Sequence, residues 1–179
     1  YSDAQLTDDW NPSIFPNLAF NLFPEAAQVM RFLPHPTDPK LDAVIYFLDN
    51  MRWLEKGCIV FSQYFDTAKW IGEGLTRRLS SEPIAIYAGS GKSGMYLAGE
   101  WKSVEREQIK VAVKERAISL VVATDAACEG LNLQTLGTLI NVDLPWNPSR
   151  LEQRIGRIKR FGQRRDRVDM LNLLYHGSS

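Results

Sequence analysis

Sulfur and imidazole are scarce in this 179-residue chain, which has two cysteines, Cys58 and Cys128, and two histidines, His35 and His176. The cysteines lie far apart and lack metal-ligand spacing, so the reading they leave is reduced, unpaired thiols in an intracellular protein. The histidines stand alone and read as surface residues rather than ligands; no metal site is expected. No apolar run approaches the ~18 residues of a membrane span, and no signal-peptide pattern opens the chain. Net charge is also missing, with 21 Lys and Arg against 21 Asp and Glu. Internal repeats and low-complexity tracts are absent. What is present is a composition 45% hydrophobic, ample for a buried core in one compact domain with some extension. A chain that opens on Tyr1 reads as a fragment or a processed product.

Proline is distributed unevenly. Six of the nine fall in the first 39 residues (Pro12, Pro16, Pro24, Pro34, Pro36 and Pro39), interleaved with Trp10, Phe15, Phe20, Phe23 and Phe32. That density prevents long regular elements, while the aromatics argue against disorder. Residues 1–36 therefore read as an extension or linker packed on this domain or on a neighbour, and residues 37–179 as the domain itself. Asp38 can cap a helix running to about Glu55 and closed by Gly57. The all-apolar run from Cys58 to Ser62 reads as a strand buried on both faces. A helical pattern follows from Asp66 to Leu79, then a strand from Pro83 to Tyr87. Residues 89–103 read as a flexible, glycine-rich loop whose Met95, Tyr96 and Trp101 serve packing, with contact to a partner as the alternative. Next come a helix from Glu105 to Arg116, strands from Ile118 to Ala123 and from Thr138 to Asp143, a helix from Pro148 capped by Asn147 or Ser149, and a last strand from Val168 to Tyr175. Alternating strands and helices imply a mostly parallel sheet flanked by helices on both faces. In such sheets ligands sit at the carboxyl ends of the strands, so Ser62-Gln63, Gly89-Ser90, Thr124-Asp125 and Asp143 should share one edge.

Two segments imitate phosphate-binding motifs. Gly91-Lys92-Ser93 suggests a Walker loop, but G-x-x-x-x-G-K-[ST] needs glycine where Ile86 stands, and no suitable helix begins at Ser93. Leu120 to Asp125 resembles a strand ending in a magnesium-binding aspartate, yet without a phosphate cradle it has nothing to serve. This chain alone should not hydrolyse nucleotide.

The strongest local signal is charge. Residues 150–167 hold eight bases against two acids, a surplus of six balanced by the rest of the chain. A focused positive region steers phosphates whatever the total charge, so neutrality does not exclude nucleic acid. Within it, Arg154, Arg157 and Arg160 recur at i, i+3 spacing and present planar guanidinium forks that bind phosphate oxygens in pairs. A solvated basic face is the simpler alternative at this point, with Asp125 and Glu129 as its ion-pair partners. Upstream, Thr124, Asn132 and Gln134 offer hydrogen-bonding groups around Gly130, where backbone can approach a ligand closely.

V-V-A-T-D-A-A-C-E-G-L-N-L-Q, followed by L-I-N-V-D-L-P-W-N-P-S-R-L-E-Q-R-I-G-R-I-K-R-F-G-Q, resembles motifs V and VI of superfamily 2 helicases, and Cys58 to Trp70 resembles motif IV. The leading Gln153 and the ending Arg160-Phe161-Gly162-Gln163 are similar to the Swi/Snf-type ATPases, which translocate on double-stranded DNA; DEAD-box RNA helicases have a leading histidine and a G-R ending. Cys128 replaces a commoner glycine, and the 89–103 segment is longer than in most relatives, which suggests a bacterial subfamily. The resemblance implies a RecA-like carboxyl-terminal lobe that works with an amino-terminal lobe of the same polypeptide. That other lobe would hold most of the ATP and Mg2+.

The resemblance further implies roles for single residues. Arg157 and Arg160 match arginine fingers and Gln153 lines the catalytic cleft. Gly130 and Asn132 lie near ribose and phosphates. Arg154 is grouped with these cofactor-binding residues, or else holds Asp125 or Glu129 and braces the helix. Thr124, Ser62, Gln63, Gly89 and Ser90 match nucleic-acid contacts made to sugar and phosphate. DNA is the implied partner ahead of RNA, with no membrane, in a bacterial cytoplasm or, for a eukaryotic chain, the nucleus. An RNA helicase lobe and a non-catalytic binding module of the same fold are the alternatives.

Overall fold

The computed structural model describes residues 18–22, 26–30, 38–89, 91–127, 133–158 and 167–175; for the first two segments, Ala127 and Tyr175 the description is of backbone alone. The strands are β1 (Leu18–Leu22), β2 (Ala26–Met30), β3 (Cys58–Ser62), β4 (Ile84–Tyr87), β5 (Gly94–Leu97), β6 (Glu100–Ser103), β7 (Leu120–Thr124), β8 (Thr138–Asn141) and β9 (Asp169–Tyr175). They form one sheet in the order β2-β1-β9-β8-β3-β7-β4-β5-β6. The five central strands, β9 to β4, run parallel. Antiparallel pairs extend both edges, β1–β2 beside β9 and β5–β6 beside β4.

Helices α1 (Pro39–Asp49), α2 (Trp53–Lys56), α3 (Phe65–Arg78), α4 (Arg106–Lys114) and α5 (Pro148–Ile158) cover the two faces. Because successive strand residues point to opposite sides, each central strand feeds two cores. Cys58, Val60, Ile84, Ile86, Leu120, Val122 and Ile140 pack with α1, α2 and α3. Ile59, Phe61, Ala85, Tyr87, Val121, Ala123 and Leu139 pack with residues of α4 and α5. Burial on both faces explains why these strands read as unbroken apolar runs.

Three local outcomes differ from the sequence reading. The helix capped by Asp38, whose carboxylate accepts from the amides of Lys40 and Leu41, ends at Asp49 instead of reaching Glu55. Arg52 takes a left-handed conformation (φ 57°) and restarts the chain as the short α2, closed by Gly57 at φ 78°. The break turns Trp53 back onto Phe47, ring centroids 4.9 Å apart. The segment expected as a loop, 89–103, holds the β5–β6 hairpin. Its two strands fit closely, since a Cβ on Gly94 would lie 2.4 Å from the Trp101 ring, which also packs tilted against Tyr96 with centroids 4.9 Å apart. Within the proline-rich extension, β1 and β2 fall on either side of Pro24 in the chain, and β1 pairs with β9 and β2 with β1.

Candidate functional site at the carboxyl edge of the sheet

Strands β8, β3 and β7 are neighbours in that order, and their carboxyl ends bring Asn141 to Asp143, Ser62-Gln63 and Thr124-Asp125 to one edge. Helix α5 lies over this edge and sends Arg154 into it. Arg154 is fully buried, with 0% of its surface exposed. Nε and Nη2 donate to the two carboxylate oxygens of Asp125 at 2.6 and 2.8 Å. Nη1 donates to the Asn141 side-chain oxygen at 2.9 Å and to the Asp143 carbonyl at 2.8 Å; Nη2 also reaches Asp143 Oδ1 at 3.4 Å. A guanidinium has five N–H donors, and here each one has an acceptor. The Phe61 ring lies beneath the cation, 5.3 Å from centroid to Cζ. A buried charge survives only when paired and fully hydrogen-bonded, and the two carboxylates from the strands flanking β3 meet that condition.

Asp143 links this cation to the loop after β3. Its carboxylate accepts from Ser62 Oγ at 2.7 Å and from the Gln63 amide at 2.9 and 3.1 Å. Gln63 Nε2 donates to the Leu144 carbonyl at 3.0 Å, and the Tyr64 amide donates to Ser62 Oγ at 3.3 Å. Asn172 on β9 accepts from Asn141 Nδ2 at 2.7 Å, which turns the Asn141 oxygen toward Arg154. At the start of α1, Lys40 Nζ donates to the Val142 carbonyl; burial lowers its pKa, opposed by the charges of Asp143 and Asp38.

These contacts correct three expectations. Arg154 cannot bind nucleotide from this position because its donors are all consumed inside the domain; it holds Asp125, the alternative role. The Ser62 hydroxyl is buried and donates inward, and the Gln63 amide is also taken by Asp143, so neither group is presented to nucleic acid. Thr124 is buried at the end of β7 and does not expose its side chain on the edge. Gly89 does reach the same edge, at the end of β4. Ser90, Gly130, Asn132 and Arg160 lie outside the described residues, as does Glu129.

Arg157 differs from Arg154 although both lie on one helix. It is half-buried, and its Nε is shielded from solvent without a hydrogen-bond partner among the described residues. Its backbone carbonyl accepts from the Leu133 amide at 3.4 Å, tying this turn of α5 to the segment before β8. Gln153, one residue before Arg154, is exposed. Asn141 and Asn172 are structural members of the site that the sequence reading did not name, and Asp143, expected on this edge, had been given no partner. Asp143 had a detectable signal, an acid directly after an apolar strand in the same manner as Asp125. The asparagines had none, because nothing local distinguishes a buried amide pair from loop polarity.

Among the described residues, no group of three or more His, Cys, Asp or Glu is placed to hold a metal ion, and no helix is long and apolar enough to cross a membrane. Thus fold and site define a RecA-like α/β lobe with an arginine helix over the carboxyl edge of its parallel sheet. The helicase conserved C-terminal domain matches residues 39–162, and the chain belongs to that family. A Bacillus subtilis protein described as the uncharacterized ATP-dependent helicase YqhH is 47% identical over 119 residues, covering 66% of this chain and 19% of the relative. The chain therefore spans about a fifth of that relative's length. Among solved structures, the C-terminal part of the Fun30 ATPase domain superposes with a TM-score of 0.60 at 20% identity, over 77% of this chain and 42% of that one. Dbp5 of S. cerevisiae, bound to RNA and ADP–BeF3, gives 0.59 at 21% identity, over 77% and 32%. At such identities the structural likeness speaks for the fold alone.

Proposed function

We propose that this chain is the second motor lobe of an ATP-dependent translocase acting on double-stranded DNA, and that it supplies arginine fingers to ATP held mainly by an amino-terminal lobe of the same polypeptide. The observation that carries the reading is the contrast within α5. Arg154 is saturated and fixes the helix to the sheet, whereas three residues later Arg157 keeps a desolvated donor with no partner among the described residues. Leaving a buried N–H unsatisfied costs about 1–3 kcal/mol, a cost that an incoming phosphate oxygen relieves. Arg157, with Arg160, would stabilise negative charge developing on the transferred phosphoryl, where donors fixed in advance need no reorganisation. Gln153 would face the same cleft, and Gly130 and Asn132 would approach ribose and phosphates. Mg2+, when bound, would neutralise charge between the phosphates; the described residues of this lobe offer it no carboxylate cluster. Thr124, through its backbone, and Gly89 with Ser90 would lie along the tracked strand and meet sugar and phosphate rather than base edges, making the motor largely independent of sequence.

Support for the Swi/Snf-type assignment is the Gln153 and Arg160-Phe161-Gly162-Gln163 pattern. The test uses the full-length protein. Arg157→Ala and Arg160→Ala should each leave ATP binding nearly intact while lowering turnover by ~10³-fold or more. Unchanged turnover would sink the finger assignment. Duplex DNA should stimulate the wild-type ATPase more than duplex RNA, and the reverse order would move the assignment to an RNA helicase. The isolated 179 residues should show no hydrolysis at saturating DNA.

A further inference from the structure

The connection from β4 to β5 leads into the β5–β6 hairpin, and its Gly91, Lys92 and Ser93 follow the carboxyl end of β4, with Lys92 close to the start of α3. Ser93 is buried and its hydroxyl bonds both the amide and the carbonyl of Ala88, at 3.0 and 2.9 Å, while the Lys92 amide donates to the Gly89 carbonyl at 3.2 Å. These bonds fix the turn and carry the exposed Lys92 forward, so that its ammonium stands 5.0 Å from the centroid of the Phe65 ring. Further down, Tyr96 Oη on β5 donates to Glu73 of α3 at 3.4 Å. Phe65, Lys69 and Glu73 are spaced i, i+4, i+8 and therefore line one side of α3. The first of them meets Lys92 of the β4–β5 connection and the last meets Tyr96 of β5, so Lys69 lies between, on the same side, and it is exposed. Beside them Tyr64, immediately before α3, is 67% exposed.

Two exposed lysines thus lie where α3 faces the β4–β5 connection and β5, with the exposed Tyr64 ring at the start of the helix, and neither Lys69 nor Lys92 makes an ion pair among the described residues. We propose that Lys92 and Lys69 form a backbone grip for nucleic acid, a phosphodiester-binding surface that the β4–β5 connection and α3 build together, with Tyr64 flanking it. This rests on the reading of the lobe as a nucleic-acid motor and extends its track beyond Gly89 and Ser90. Charge complementarity selects the partner, because a polyanion with regularly spaced charges can satisfy two exposed cations that no ion pair among the described residues neutralises. Compact ammonium heads suit phosphate oxygens and carry no base specificity.

The experiment measures binding of a labelled random-sequence DNA duplex to the full-length protein over a range of salt concentrations, for wild type, Lys92→Ala, Lys69→Ala and the double variant. Each lysine removed from a phosphate should lower the slope of log affinity against log salt by about 0.9. The double variant should bind more weakly by the same factor on unrelated sequences, with ATP affinity unchanged. Because both side chains are exposed, the variants should melt at the wild-type temperature. If wild type binds duplex DNA and both single variants keep its slope and affinity, the grip is refuted and the motor reading stands. If wild type binds no nucleic acid, the motor reading falls and the grip falls with it.

Discussion

Replacing Arg154 tests the site most directly, because the geometry fixes the expected cost. The Arg154→Ala substitution would remove five hydrogen bonds and leave the Asp125 and Asp143 carboxylates facing each other without a cation. Breaking a buried ion pair by deleting one partner costs about 3–5 kcal/mol. Against a total stability of about 5–15 kcal/mol for a domain, that loss is large. In a chain of 179 residues, each kcal/mol shifts the melting temperature by about 2–4 °C, so a drop of about 6–20 °C is expected. Arg154→Lys keeps the charge but has three donors instead of five in a fixed fork. It should fall between wild type and alanine. Urea unfolding followed by circular dichroism gives the free energies, and a double-mutant cycle with Asp125→Ala should return a coupling of about 0.5–3 kcal/mol. If Arg154→Ala costs under about 1 kcal/mol, the range of an ordinary surface ion pair, then Arg154 is not the buried centre of this edge and the account of how α5 is held is wrong.

Three further predictions concern the sheet and its covering helix. Gly94→Ala should destabilise by about 1–3 kcal/mol, as overpacking does, because the new Cβ would also meet the Lys102 carbonyl at 2.5 Å, which cannot move aside as a side-chain tip can; urea unfolding gives the loss, and a shift in Trp101 emission reports the disturbed hairpin. Gly156→Ala is the contrasting case, since nothing among the described residues lies within 4 Å of its Cβ position; in mid-helix it should be neutral or stabilise by up to about 1 kcal/mol. Cys58 is fully buried, and burial, partly offset by a hydrogen bond to Thr138, pushes its thiol up to about 12 from 9.0. It should resist iodoacetamide at pH 8 in the folded protein and react on unfolding, with Cys128→Ser isolating the signal; rapid native labelling would contradict its burial. Because the folded value is the higher one, the Cys58 contribution to stability is complete below pH 9 and is lost as pH rises toward 12.

Much of the fold was legible because burial on two faces leaves a direct trace in composition. The strands expected from Cys58 and from Ile118 were readable because Cys58 to Phe61 and Leu120 to Ala123 are apolar throughout, and no turn residue interrupts them. The hairpin at 94–103 was not legible for the opposite reason. Its strands are four residues long, β6 is wholly exposed, and the visible tie is a side-chain fit of Trp101 over Gly94 that no apolar pattern announces. The end of α1 was hidden in the same way, since a left-handed Arg52 is imposed by the return of Trp53 to Phe47 and no local preference announces it.

The arginine helix shows where letters stop and geometry begins. Arg154 and Arg157 are the same residue type at i, i+3, and their charge alone assigns both to a phosphate. Yet α5 has an apolar stripe made of Leu151, Ile155 and Ile158, and Arg154, at i+3 from Leu151 and i−4 from Ile158, falls within it. A charge inside an apolar stripe must be neutralised by the elements beneath it, and two strands end in aspartate on that edge. Position in the stripe, more than motif membership, therefore separates the arginine that holds the helix from the one left to bind. It also predicts an order of failure. Loss of Arg154 should impair folding and turnover together, whereas loss of Arg157 should impair turnover with the melting temperature unchanged. Finding the two defects exchanged would mean that the stripe has been assigned to the wrong side of α5.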